Sequence, residues 1–195
     1  MFAKQVLVAA AFLATLSSAA PATGSASEDS TALNIVVPEG LKILEQYETT
    51  SGGTVVWFGD ENPANATATA DEVDAEDAHA LNRRCGSNRV KCFSDHQTFM
   101  PTCETMTLDT SVLLRDTPIP TSPRSICYYE RGATCCVSWA DNVSGAVYRH
   151  LIPASNAVRT QCATRWASGK SYDTLIGRTC TTQCLSDRPD GCNNN

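Results

Sequence analysis

Residues 134–140 read TCCVSWA, and the alternation in this stretch sets the architecture expected of the chain. Successive side chains of an extended strand point to opposite faces, so Cys135, Val137 and Trp139 share one face and Cys136 and Ser138 the other. Adjacent cysteines on opposite faces tether one strand to two different neighbours. Immediately upstream, SICYYE at 125–130 has strand composition, and Arg131-Gly132 between the two runs supplies a turn. The pair reads as an antiparallel hairpin.

Downstream, Ala154, Val158, Cys162 and Trp166 recur every four residues behind a Pro153-Ala154-Ser155 start, with Gly169 as the stop, which is the pattern of an amphipathic helix. Upstream, Phe99, Cys103, Met106 and Leu113 suggest a second helix. Ser94 and Gln97 would form its capping box if it starts at Asp95, whereas Pro101 would cost a backbone bond there and moves the start toward Pro101. Trp139 and Trp166 both fall on apolar faces beside cysteines, so both are expected in the core. The expected fold is α+β, a small disulfide-rich domain with a short antiparallel sheet and about two helices.

All ten cysteines, Cys85, Cys92, Cys103, Cys127, Cys135, Cys136, Cys162, Cys180, Cys184 and Cys192, lie in one 108-residue segment. That density marks a disulfide scaffold made in an oxidising compartment, and the even count predicts five bridges with no free thiol, although sequence cannot choose the pairing. Zinc is the weaker reading. Cys180 and Cys184 have loose zinc spacing but no matching second pair, and only His96 and His150 could complete a site. No metal or cofactor is expected. Charge changes at the same boundary: residues 20–84 carry twelve acids against three bases, while residues 85–195 carry nine acids against eleven bases. A net charge of +2 on the cysteine-rich part is too weak for counterion-release binding, so nucleic acid is not an expected partner.

Residues 1–19 have an early Lys4, an eleven-residue apolar run from Val6 to Leu16, and small residues up to Ala19, and they read as a secretory signal peptide cleaved after Ala19. The run falls well short of the roughly 20 residues that span a bilayer, so no membrane insertion is expected. Residues 20–84 read as an acidic leader or propeptide, largely disordered for want of apolar side chains. Within it, residues 35–60 form an island: Leu41, Leu44 and Tyr47 fall on helical spacing, and Thr54 to Phe58 reads as a strand after Gly52-Gly53. The island is too small to fold alone and is expected to dock on the cysteine-rich domain, residues 85–195, as an added strand. Arg83-Arg84 stands directly before Cys85, a dibasic site for a kexin-type processing protease.

The combination of CGSNRVKC from Cys85, PRSIC ending at Cys127, CCVSW from Cys135, the mid-helix Cys162 and TCTTQCLSDRPDGC closing at Cys192 resembles the fungal WD-like domain family. These are small secreted cysteine-rich proteins, unrelated in architecture to WD40 propellers, and no repeat of about 40 residues is present. GGTVVWFG followed by an acidic spacer and a basic pair is similar to the leader such proteins carry. Pro101 departs from the family pattern, inside the expected first helix. The resemblance implies class and processing and no particular activity.

No GxSxG elbow, P-loop, HExxH or dinucleotide fingerprint occurs. The enzyme reading that remains is a small secreted hydrolase such as a ribonuclease, drawing on His96, His150, Glu104 and Arg131, and it requires the two imidazoles to lie within one substrate's reach, about 6 to 8 Å. The loop RDTPIPTSPR at 115–124 reads as extended and exposed, DRPDG at 187–191 as a turn, and Asn142 and Asn65 as glycosylation sequons. The expected function is that of a secreted binding protein, effector-like or toxin-like, with no catalytic residues, acting on a protein or glycan target outside the cell.

Overall fold

The TCCVSWA strand and its partner form as the alternation requires. The computed structural model describes residues 33–61, 85–109, 112, 114–119, 123–162 and 164–192. The chain divides into two compact units, Met1–Ile35 and Val36–Asn195, and all the secondary structure described lies in the second. Its strands are β1 (Leu41–Glu48), β2 (Thr54–Asp60), β3 (Arg89–Phe99), β4 (Pro123–Glu130), β5 (Ala133–Trp139), β6 (Trp166–Ile176) and β7 (Thr179–Ser186). The helices are α1 (Met100–Leu108) and α2 (Ile152–Gln161), the latter entered through a 3-10 turn at Tyr148–Leu151.

The strands form one antiparallel sheet in the order β1-β2-β4-β5-β7-β6-β3. This corrects the α+β expectation. The described residues are mostly β, a seven-stranded sheet with two short helices, and the sheet is the frame rather than a short accessory. The missed strands β3, β6 and β7 are rich in Ser, Thr, Lys and Gln, so they lack apolar alternation. They bury polar side chains that find partners instead: Gln183 Nε2 donates to Leu151 O at 2.8 Å and to Ser155 Oγ at 2.9 Å, and Thr174 Oγ1 donates to Ser171 Oγ at 2.9 Å.

Three local readings are corrected with it. Leu41 to Tyr47 is a strand, because pairing with the apolar β2 outweighs a three-residue helical match; a bulge leaves Leu44 without a register partner between Ile43 and Glu45. Ser94 and Gln97 do not cap a helix but lie in the irregularity of β3 between Phe93, paired with Ser168, and Thr98, paired with Ala167. The helix begins at Met100 with Pro101 in its first turn, where a missing N–H costs nothing. α2 ends at Gln161, so Trp166 opens β6 and Gly169 lies within that strand.

Both helices cover one face of the sheet. Val55, Trp57, Ile126, Tyr128, Cys135, Val137, Trp139 and Leu185 point into the core shared with Met106, Leu151 and Val158. Arg159 of α2 joins the helices, reaching Glu104 at 3.2 Å and Thr107 Oγ1 at 3.3 Å. On the opposite face Val56, Phe58, Cys127, Cys136 and Cys184 are also buried. Arg131 and Gly132 both take positive φ, 50° and 77°, the requirement of a two-residue hairpin turn whose twist matches the strands.

The disulfides are Cys85–Cys180, Cys92–Cys162, Cys103–Cys135, Cys127–Cys136 and Cys184–Cys192. The adjacent cysteines act as their alternation implies: Cys135 holds α1 on the core face, and Cys136 holds the register partner Cys127 in β4 on the other. Signal peptide 1–19, Asn65, Arg83 and Arg84 and Leu113 lie outside the described residues. No helix among the described residues is long and apolar enough to cross a membrane.

Candidate binding cleft

Phe99 ends edge strand β3 and Trp166 opens β6, and the antiparallel register makes them direct partners. Their rings lie 5.1 Å apart at 43°, a tilted aromatic pair. The Arg165 guanidinium lies 5.1 Å from the Phe99 ring centroid, and Met100 N donates to Arg165 O at 3.0 Å, which ties the residues before β6 to the start of α1. Trp166 is 50% exposed. The sequence places it in the core because four-residue spacing continues from Cys162, but the helix ends before reaching it.

Pro101, Thr102 and Thr105 of α1 form a second wall, and Glu130, Arg131, Gly132 and Ala133 of the β4–β5 turn form a third, enclosing about 440 Å³. The walls are fastened to one another. Cys103–Cys135 pins α1 to β5, and Thr98 Oγ1 donates to Thr134 O at 2.5 Å, joining the end of β3 to the start of β5. Arg131 extends into solvent with its side chain 88% exposed, its Nε 3.9 Å from Glu130. The result is an open aromatic platform beside two guanidinium groups, held before any ligand arrives. Trp and Arg in such positions are the side chains that dominate binding interfaces.

The remaining predicted residues are dispersed. His96 Nδ1 lies 3.5 Å from Asp187 on a strand irregularity, beside a cavity of about 340 Å³ that also holds Asp95, Lys170 and Arg188. Beside it Ser168 Oγ donates to Asp95 O at 2.6 Å, and Arg188 Nε lies 3.5 Å from Asp190 without a hydrogen bond to it. His150 does not line that cavity. Its Nδ1 accepts the Val147 N–H at 3.1 Å, and burial, helped by the Arg149 charge, lowers its pKa. Glu104 pairs with Arg159 on α1 and α2, and Arg131 belongs to the aromatic cleft. The four candidate catalytic groups are therefore not assembled into one site.

Cys180 and Cys184, the zinc candidates, are bonded to Cys85 and Cys192. Trp139 is fully buried, as its alternation implies. Asn142 sits half-buried in the loop after β5, between the end of that strand and the buried Val143. Phe99 and Arg165 were not distinguishable in the sequence, since the cleft depends on a pairing across 67 residues. The signal in the sequence is one aromatic closing the polar run of β3 and another opening that of β6.

No curated protein and no solved structure matches the chain. The family model described as fungal WD-like matches residues 16–192, nearly the whole length, and so takes in the N-terminal hairpin as well as the cysteine framework. The chain belongs to the fungal WD-like family.

Proposed function

We propose that this protein is a secreted binding module of effector or toxin type, and that the cleft around Trp166 is its contact surface. The observation that carries the reading is a half-exposed Trp166 paired with Phe99 inside a disulfide-pinned cleft and flanked by Arg131 and Arg165. An exposed indole costs solubility, and a rigid platform lowers the ordering cost of binding; both are expected of a surface kept for a partner. Its chemistry suits a protein or glycan ligand with a flat apolar face next to acidic groups. Secretion is supported by the pairing of all ten cysteines and by the composition of residues 1–19. Release after Arg84 by a kexin-type protease and a glycan on Asn142 belong to the same reading.

Catalysis is the competing reading, and the dispersal of His96, His150, Glu104 and Arg131 favours binding over it. The test is capture from candidate host and microbial extracts and from a glycan panel, comparing the unaltered protein with Trp166→Ala and Arg131→Ala. Capture should fall at least tenfold in Trp166→Ala while the folded signal persists. Undiminished capture removes the cleft from the account. Turnover of RNA, polysaccharide or protein between about pH 5 and 8 that disappears in His96→Ala or His150→Ala would sink the binding reading.

A further inference from the structure

We infer that the β1–β2 hairpin is a permanent, noncovalently held subunit of the folded protein, so that a cut after Arg84 produces a two-chain molecule instead of releasing a propeptide. The inference uses the processing reading only for the place of the natural cut.

β2 is an interior strand. It pairs with β1 on one side and with β4 on the other, from Thr54 opposite Tyr129 to Gly59 opposite Pro123. Val55, Val56 and Phe58 are 0% exposed and Trp57 is 2% exposed, so both faces of the strand are buried. A dispensable leader would lie on the surface. This one is part of the core: Val55 and Trp57 are members of the cluster that holds Ile126, Tyr128 and Tyr148.

The attachment is distributed over the hairpin. Trp57 stacks on Tyr148 with ring centroids 4.0 Å apart. Tyr47 Oη donates to Val112 O at 2.7 Å, and Ser51 Oγ lies 3.0 Å from Tyr128 Oη. At the far end Arg124 Nη1 lies 3.2 Å from Asp60. Gly53 has been left without a side chain where a Cβ would lie 2.2 Å from the Tyr128 ring. If the hairpin left, β4 would become a sheet edge carrying Ile126 and Tyr128, an apolar strand open to edge pairing. With the hairpin in place the edge is β1, whose exposed residues include Lys42, Glu45 and Glu48, charges that resist such pairing.

The union contains no covalent link of its own, because residues 1–84 contain no cysteine. Hydrolysis of the Arg84–Cys85 bond by a dibasic-directed protease adds one water, leaving a carboxylate on Arg84 and an ammonium on Cys85. It touches none of the contacts above.

The test cuts the full-length protein in two ways, with a kexin-type protease and, in a second version, with a sequence-specific protease whose site is placed between residues 62 and 84. Each product is run on gel filtration without reductant. Both fragments should elute together at the position of the uncut protein, and they should separate in denaturant without any reductant. A Val56→Lys form of the cut protein should lose the hairpin at least tenfold faster. Elution of the N-terminal fragment apart from a folded or aggregated C-terminal fragment overturns the inference. If kexin leaves Arg84–Cys85 intact while the engineered cut yields a joined pair, natural processing fails and the two-chain architecture stands.

Discussion

The Trp57 indole stacks on the Tyr148 ring, 4.0 Å between centroids and 28° from parallel. Trp57 comes from the N-terminal hairpin, and Tyr148 begins the 3-10 turn that leads into α2, so one ring contact joins the first part of the fold to its helical layer. Replacing Trp57 with Ala should cost about 3 to 5 kcal/mol in denaturant unfolding, the range for emptying a large aromatic site in a core, whereas Trp57→Phe should keep most of the stability. Equal losses in the two variants would mean that the indole's shape, and not burial with ring contact, matters at this position.

Gly169 carries a second contact of the helical layer with the same face of the sheet, in β6, where it pairs with Leu185 of that core. A Cβ there would lie 2.8 Å from Val158 Cγ1 and 3.2 Å from Cys162 Sγ, so α2 crosses β6 at a distance only glycine allows. Gly169→Ala should destabilise by about 1 to 3 kcal/mol through overpacking. Adding Val158→Ala should then cost less than it does alone, because it makes room for the new methyl; strictly additive losses would refute the close approach.

The same glycine shows where sequence reading stops. Beyond a four-residue apolar period, Gly169 looks like a helix stop, yet its role is set by a helix packed across it. TCCVSWA and Arg131-Gly132 were legible because alternation and turn chemistry are local. β6 and β7 were not, because Ser171, Thr174, Thr181 and Gln183 are buried polar residues whose partners lie 3 to 40 positions away. The Leu41, Leu44 and Tyr47 period misled because a bulge at Leu44 shifts a strand's alternation by one residue and imitates a helical step. The cleft stayed hidden for the related reason that Trp166 and Phe99 meet only through register.

Cys103–Cys135 closes a sequence separation of 32 residues and also fastens two walls of the cleft. The double replacement Cys103→Ala with Cys135→Ala should lower stability by about 4 kcal/mol, in line with the entropy of a loop of this size. It should also weaken ligand capture more than a distant change of equal cost does, since the aromatic platform then loses its fixed wall. Capture that tracks global stability alone would show that the disulfide has no part in shaping the cleft. The unaltered, unreduced protein should take up no alkylating label, as all ten thiols are paired.

His150 gives the fold a pH dependence of known sign. Its Nδ1 accepts the Val147 N–H and must be unprotonated to do so. Burial first, and the Arg149 guanidinium second, lower its pKa below the ordinary histidine value of about 6.5. Between the two values the unfolded chain holds the proton more tightly than the folded one, so stability rises with pH through that window. The contribution is complete above about pH 6.5 and is lost as pH falls toward the folded-state pKa. His150→Asn supplies an uncharged acceptor and should flatten this part of the stability profile; an NMR titration of the folded protein should place the His150 midpoint below that of the unfolded chain. A midpoint above about 6.5, or a profile unchanged in His150→Asn, would show that the turn before α2 does not depend on a neutral imidazole.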